Sequence, residues 1–359
     1  MCRSLKSSDN ACNKTSLLPI KHPRVISLFA GCGGLDLGFH QAGFHIVYAN
    51  DIELSIKETY EQNLGEIEIR DIRKVNKMML PEADVIIAGI PCQPFSNAGN
   101  RRSMDDDRGT LFQQVLEVID IKEPRIVLFE NVRGFMSAKD DDGMIMPERL
   151  KKEMKKHGYT LQYKLLNAAD YEVPQNRHRV VLVGMRDDLK QVYSFPEPIG
   201  NKEALTVGSV LSIPYPLGEE QEVWKLSPQS IHMAKFIPEG GSWKDVPEEE
   251  LFERFLKIRK NIKKYRSPNF YRRFSRNEIM GTITAAATPE NSGILHPLED
   301  RRYSIREIAR FQSFPDNFKF IGSSTAKKYK MIGNAVPVKF AYHLAKSIKK
   351  QVFDDLNNR

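Results

Sequence analysis

Five short apolar runs, separated by stretches of helical length, constrain the fold of this chain more than any other feature. The runs are rich in Val and Ile and cover residues 25–29, 46–49, 85–88, 126–129 and 180–183. Such runs, with helical crossovers between them, are typical of parallel strands that helices bury on both faces. We therefore predict an α/β protein with a mainly parallel sheet and helices on both faces.

A second domain is indicated after residue 186, where the alternation of strands and helices ends. Seven prolines and both tryptophans lie between residues 196 and 247. Further along, apolar residues at helical spacing over 338–352 predict a closing amphipathic helix. The first 22 residues show little periodicity, and we interpret them as a flexible N-terminal extension.

The charge balance favours a polyanionic partner. Lys and Arg total 54 against 46 acidic residues, which gives a formal net charge of +8. Eight basic residues and no acidic one fall within 257–273, interleaved with aromatic side chains. If all of them contacted DNA phosphates, log affinity would fall against log salt with a slope of about −7. The alternative is a solvated helix face.

Composition also argues against several kinds of protein. No apolar run approaches membrane-spanning length and the polar start does not form a signal peptide, so we expect a cytoplasmic protein without membrane contact. The four cysteines have no paired spacing, which argues against a disulfide or structural zinc. We interpret the acidic runs 105–107 and 140–142 as solvated charge and expect no metal.

A glycine turn follows the first predicted strand and indicates a cofactor pocket. Gly31 and Gly33 would let the backbone approach a ligand closely, but Asp36 stands where a dinucleotide fingerprint has its third glycine. An adenosyl cofactor without a pyrophosphate therefore fits better, with Asp51 at the ribose hydroxyls and Asp71 at the adenine amino group. The alternative is a tight turn with Asp51 as a helix cap.

Reactive side chains follow other strands at the same edge of the predicted sheet. Cys92 lies between Pro91 and a second proline after the third run, and Glu130 directly follows the fourth. Strand alternation would put Arg177 and Arg179 on one face, where both could act on one substrate. The alternatives are a buried thiol, a salt-bridge carboxylate and a solvated pair of arginines.

Together these motifs resemble the DNA (cytosine-5)-methyltransferases of bacterial or phage type II modification systems. The match runs in the family's order from residue 24 to residue 350 and includes FAGCGG at 29–34, PCQPFS at 91–96, ENV at 130–132, QNRHR at 175–179 and GNAVP at 333–337. The resemblance implies a Rossmann-like, class I S-adenosylmethionine-dependent catalytic domain formed by 23–186 and 301–359. It also implies a smaller, irregular target-recognition domain at 187–300, after an extension at 1–22.

The resemblance implies a role for each catalytic side chain. Cys92 would be the nucleophile that attacks carbon 6 of a cytosine flipped out of the duplex. Glu130 would hold ring nitrogen 3 and the exocyclic amine, while Arg179 would bind the carbonyl oxygen at carbon 2 and favour the thiolate. Arg177 would assist through the target's backbone or the catalytic loop. That loop would be formed by 99–108.

The family's cofactor and DNA contacts can be placed in the same way. S-adenosylmethionine would be converted to S-adenosylhomocysteine, without a metal. The pocket residues would be Phe29, Gly31, Gly33, Leu35, Asp51, Ile52, Asp71, Ile72, Pro91, Asn334 and Val336. Ile52 stands where the family often has a tryptophan on the adenine. Contacts to DNA are expected from Ser96, Arg101, Arg272, Arg273 and Arg276.

The expected partner is double-stranded DNA, bound by a monomer. A cognate restriction endonuclease would share the target sequence without forming a required complex. A transfer-RNA cytosine-5 methyltransferase of the same fold is the nearest alternative, but its usual Cys-Phe-Thr tripeptide is absent because no cysteine follows Cys92. A nicotinamide-dependent oxidoreductase is disfavoured because the third glycine of its fingerprint is missing. A DNA-binding module without catalytic activity is disfavoured because it would not need Cys92, Glu130 and Arg179.

Overall fold

A seven-stranded sheet organises the protein, with the strand order β3-β2-β1-β4-β5-β7-β6. The computed structural model describes residues 22–90, 109–140, 142–200, 202–216, 221–261, 269–286, 288–289, 292–322 and 324–354. The strands are β1 (Arg24–Leu28), β2 (His45–Asp51), β3 (Glu68–Ile69), β4 (Val85–Ala88), β5 (Ile126–Val132), β6 (Tyr159–Asn167) and β7 (His178–Arg186).

The prediction of a mainly parallel sheet is confirmed. Strands β1 to β5 pair in parallel, whereas β7 pairs antiparallel with both β5 and β6. Each of the five apolar runs falls in a strand, except that Phe29 lies just beyond the end of β1. The runs in β4, β5 and β7 are buried at every position, whereas most of the run in β2 is only partly buried. Strands β3 and β6 were not predicted, and neither was the reversed direction of β7.

Helices cover the sheet and extend beyond it. They are α1 (Gly34–Gln41), α2 (Lys57–Asn63), α3 (Gly109–Lys122), α4 (Met146–Lys156), α5 (Val207–Leu211), α6 (Pro228–Lys235), α7 (Glu253–Lys260), α8 (Ile305–Phe311), α9 (Thr325–Asn334) and α10 (Val338–Ile348). In the part of the chain that the structure describes, no helix is both long and apolar enough to cross a membrane.

The C-terminal helix returns to the first domain, as expected. Helix α10 packs on α1, where a Cβ atom on Gly38 would lie only 2.4 Å from the Cβ of Ala341. Its residues Phe340 and Leu344 share a core with Val25 and other strand residues. Helix α10 thus fixes α1, and with it the glycine turn that precedes α1.

The segment after residue 187 has a small core of its own. Trp243, Phe255 and Phe270 meet edge to face, with ring centroids 5.4 and 5.6 Å apart, inside a cluster that spans 226–295. A second cluster joins Ile283 to Phe311 and other residues of α8 and α9. The residues around Ile283 are therefore held against the catalytic part of the chain. The limits of the proposed target-recognition domain stay a prediction.

Candidate active site

A cavity of about 600 Å³ lies at the edge of the sheet where β1, β2, β4 and β5 end. Distant parts of the chain line it: the glycine turn, the ends of β2 and β4, Glu130 on β5, the start of β7, the segment 282–285, and α9 with the residues after it. The carboxyl ends of parallel strands meet at one edge of a sheet, so residues distant in sequence converge there.

The glycine turn holds Asp51 in the cavity wall. Gly31 has a φ of +56°, and its N–H donates a hydrogen bond to Asp51 Oδ2 at 2.8 Å. The N–H of Glu53 donates to Asp51 Oδ1, also at 2.8 Å. Burial raises the pKa of Asp51 above its usual value, against the effect of these donors. The carboxylate is thus fixed at the end of β2, where a ribose was predicted.

The structure brings together seven of the predicted cofactor residues. They line the cavity and are Phe29, Gly31, Leu35, Asp51, Ile52, Asn334 and Val336. Ile52 is 65% exposed, so it presents an apolar side chain at the rim where the family often has a larger ring. Pro91, a further member of the predicted set, lies outside the described residues.

Three predicted cofactor residues are not part of the cavity wall. Gly33 faces the packing behind the turn, because a Cβ there would lie 2.1 Å from Leu64 Cδ1. Ile72 is buried in the hydrophobic core. Asp71 accepts hydrogen bonds from the backbone and guanidinium of Arg73, which lowers the pKa of its carboxyl group. The carboxylate would have to exchange Arg73 for adenine to take its predicted role.

Glu130 and Arg179 form an ion pair inside the cavity. Adjacent antiparallel strands position them, since β5 and β7 pair with Glu130 opposite Val181 and Val132 opposite Arg179. Arg179 Nε lies 2.6 Å from Glu130 Oε1, and both side chains are nearly buried. Arg179 Nη1 also donates to the carbonyl of His178 at 2.9 Å. The two side chains that the resemblance assigns to the target base therefore lie side by side, in the salt bridge that was the alternative for Glu130.

Arg177, which was expected to assist the reaction, lines the same cavity as Arg179 but is bound to backbone carbonyls. Strand β7 begins only at His178, so Arg177 does not share the strand face of Arg179. Its guanidinium is buried and donates to the carbonyls of Ile283 at 2.7 Å, Gly333 at 2.8 Å and Ala335 at 3.1 Å. Arg177 therefore joins two walls of the cavity instead of presenting a free guanidinium to DNA.

A buried pair of glutamines, which the sequence analysis did not single out, joins the same walls. Gln175 Nε2 donates to Gln312 Oε1 at 3.0 Å, and the N–H of Ile283 donates to Gln175 Oε1 at 3.0 Å. Gln312 Nε2 in turn donates to the carbonyl of Ile332 at 2.7 Å. The position of Gln175 inside the motif at 175–179 was the only signal in the sequence.

Asp36 at the floor of the cavity was also missed. It is fully buried and accepts a hydrogen bond from Ser27 Oγ at 2.7 Å and another from the hydroxyl of Tyr60. Burial raises the pKa of Asp36 to about 6. The sequence signalled this residue only as a departure from the dinucleotide fingerprint.

Of the four cysteines, the structure describes only Cys32. It lines the cavity but is 1% exposed, and burial raises the pKa of its thiol to about 12. A thiol in that state is a poor nucleophile at neutral pH. The predicted nucleophile Cys92 lies outside the described residues, and so do Ser96 and Arg101.

The arginines of the second domain differ in how they can contact DNA. Arg273 was predicted to contact DNA, but it is 3% exposed, pairs with Asp300 at 2.7 Å and donates to the carbonyls of Ala234 and His296, so that prediction is wrong. Arg272 is partly buried and pairs with Glu278 at 2.6 Å.

Arg276 has the exposed guanidinium of the three arginines. Its side chain is 52% exposed, and it pairs with Glu239 at 3.1 Å. Both residues lie in a polar concavity on the surface of the second domain. Arg276 therefore remains the best placed of the three for a contact to DNA.

Metal ligands do not cluster in the described ranges. There, no group of three or more His, Cys, Asp or Glu side chains could hold a metal ion.

Comparison with known proteins identifies the family in which this arrangement occurs. The family model for C-5 cytosine-specific DNA methylases matches residues 23–350. Type II methyltransferase M.NgoFVII of Neisseria gonorrhoeae is 36% identical over 336 residues, which cover 91% of this chain and 86% of that protein. Type II methyltransferase M.HhaI of Haemophilus parahaemolyticus is 30% identical over 341 residues, covering 90% and 94%.

Solved structures share the fold at lower identity. A putative DNA modification methyltransferase encoded within an Escherichia coli prophage has a TM-score of 0.63 and 23% identity, with 94% of this chain and all of that chain covered. The Dnmt2 methyltransferase of S. pombe has a TM-score of 0.62 and 20% identity, covering 92% and 100%. These two likenesses support the Rossmann-like fold.

Proposed function

The chain belongs to the C-5 cytosine-specific DNA methylase family, and from that premise we propose how its cavity performs the reaction. The enzyme is a DNA (cytosine-5)-methyltransferase that modifies cytosine within a specific sequence. Membership of a methyltransferase family implies S-adenosylmethionine as the methyl donor. The observation that supports the detailed proposal is one cavity containing both the Glu130–Arg179 pair and the fixed carboxylate of Asp51.

The residues of the cavity fit S-adenosylmethionine. Each oxygen of Asp51 accepts one backbone N–H, and a carboxylate has about four acceptor sites, so two remain for ribose hydroxyls. Ile52 offers an apolar surface for the adenine at the rim. When bound there, S-adenosylmethionine supplies the methyl group that carbon 5 of cytosine receives.

Cys92 is the proposed nucleophile. Its thiolate adds to carbon 6 of cytosine, and the electron pair of the carbon 5–carbon 6 double bond makes carbon 5 nucleophilic. After methylation, loss of the proton on carbon 5 expels the thiolate and restores the ring. Cys32 cannot replace it, because burial raises the pKa of that thiol to about 12. Cys2 and Cys12 fall in the predicted extension.

Glu130 and Arg179 would hold the target base. Arg179 Nη2 has no hydrogen-bond partner among the described residues and can donate to the carbonyl oxygen at carbon 2. Glu130 can accept from the exocyclic amine and share a proton with nitrogen 3 as negative charge develops in the ring. Because the pair is nearly buried, these contacts act with little screening by water.

A mechanism-based adduct tests the nucleophile. Carbon 5 of 5-fluorocytosine carries no removable proton, so once S-adenosylmethionine has methylated that carbon the thiolate cannot be expelled. With this cofactor present, the enzyme should stay covalently linked to a target site that contains this base. We expect mass spectrometry to find the link on Cys92. Cys92→Ser should lose the adduct and methyl transfer, and Cys12→Ser, in the predicted extension, is the control that keeps both. A link at another residue, or an adduct with Cys92→Ser, would overturn the assignment.

We further propose that residues 187–300 read the DNA sequence and that the enzyme acts as a monomer. Its relatives named as type II methyltransferases favour a role in protecting DNA from a cognate endonuclease. Exchanging 187–300 with a relative's segment should change the modified sequence, read by bisulfite sequencing of host DNA. An unchanged sequence would place recognition elsewhere, and host DNA without resistant, methylated sites would refute the protective role.

A further inference from the structure

Two carboxylates in the cavity have no cationic partner. Glu130 pairs with Arg179 at 2.6 Å, and Glu53 pairs with Lys330 at 3.0 Å. Among the described residues, no Lys, Arg or His pairs with Asp36 or Asp51. Asp51 has a proposed ligand in the ribose. The proposed function gives Asp36 no role.

Asp36 is held as an acceptor in the floor of the cavity. Ser27 on β1 and Tyr60 on α2 both donate a hydroxyl to it, one to each carboxylate oxygen. These two donors, one on a strand and one on a helix, fix the carboxyl group and favour its ionised form. The side chain is nevertheless fully buried, where an unpaired negative charge costs several kcal/mol. A neutral side chain would fill the same space without that cost.

The ligand expected in this cavity carries the missing positive charge. S-adenosylmethionine has two cationic centres, a sulfonium and an ammonium, and both belong to its methionine part. We propose that the carboxylate of Asp36 is the counter-ion of this cationic methionine part and sets the affinity of the enzyme for its cofactor. The inference rests on the proposed use of this cavity for S-adenosylmethionine.

Two probes separate contacts to the methionine part from contacts to the adenosine part. S-adenosylmethionine and 5′-methylthioadenosine share the adenine and the ribose, but the second has neither cationic centre. For Asp36→Asn, calorimetry should show at least about tenfold weaker binding of S-adenosylmethionine, because a buried charge loses its partner. Binding of 5′-methylthioadenosine should stay within about twofold. Asp36→Ser, which also removes the charge and leaves a hydroxyl for Ser27 and Tyr60, should behave alike if the first variant does not fold.

Asp51→Asn is the matched control, since the ribose is common to both probes. It should weaken both to a similar extent. The inference is overturned if folded Asp36 variants bind S-adenosylmethionine as the parent does, or if they weaken both probes equally, as a purely structural role would. A parent protein that binds 5′-methylthioadenosine but not S-adenosylmethionine refutes it as well. A parent protein that binds neither refutes the cofactor assignment of the proposed function itself.

Discussion

Replacing Asp36 by Asn should make the cofactor-free protein more stable at neutral pH. The amide keeps the shape of the carboxyl group, can accept from one hydroxyl and donate to the other, and removes the buried negative charge. The like charge of Asp51 adds to the penalty. A residue that weakens the folded state in this way is typical of a binding site that is complete only with its ligand.

The size of the effect follows from the pKa of Asp36, which burial raises from 3.8 to about 6. A raised pKa means that the folded state binds the proton more tightly than the unfolded state, so stability falls as pH rises from about 4 to 6. Raising the pKa by about 2 lowers the free energy of unfolding by about 3 kcal/mol, and this loss is complete once the pH is well above 6. At pH 5 about half of that loss is already present.

Urea denaturation of the two cofactor-free proteins at pH 5 and pH 8 measures this difference. The stability gain of Asp36→Asn over the parent should grow by about 1 to 2 kcal/mol between these two pH values. Asp71→Asn is the control, because Arg73 lowers the pKa of Asp71 and its titration lies below this range. An Asp36→Asn variant whose stability relative to the parent does not change with pH would refute the argument that Asp36 is a buried, unpaired charge.

Four other side chains give shorter predictions. Arg177→Lys should destabilise the protein by about 3 kcal/mol in urea unfolding, because one ammonium cannot span the carbonyls of two cavity walls; an unchanged midpoint would contradict this. Arg276→Ala should lower the salt slope of DNA binding by about 1 without changing stability. Arg273→Ala should instead destabilise the second domain, because Arg273 is buried. Equal effects of the two substitutions on the salt slope would contradict this distinction. Cys32 should resist a thiol reagent in the native protein and react with it in urea, and peptide mapping measures both reactions.

The sequence predicted the sheet edge well because the residues of a strand themselves indicate whether the strand is buried. Runs such as 85–88 are apolar at every position, and a strand buried on both faces needs no partner to be recognised. The positions of Asp51 and Glu130 followed from the apolar runs that precede them: Asp51 ends β2, and Glu130 lies two residues before the end of β5. Strand β6 alternates apolar residues with Thr160, Gln162 and Lys164, so it gave no apolar run. A run also does not show direction, which is why the reversed β7 was not foreseen.

The residues next to an arginine in the sequence do not indicate which acceptor its guanidinium binds. A guanidinium offers five donors that suit a phosphate, a carboxylate or a set of backbone carbonyls equally well, and only the folded chain decides which acceptor is within reach. Within 257–273, Arg259 donates to the carbonyl of Trp243, Arg272 to that of Gly241 and Arg273 to that of His296. If these three arginines stay bound within the protein, five of the eight basic residues there are left for DNA, and this stretch would contribute about −4.5 to the salt slope instead of −7. A steeper measured dependence would therefore require phosphate contacts from other parts of the chain.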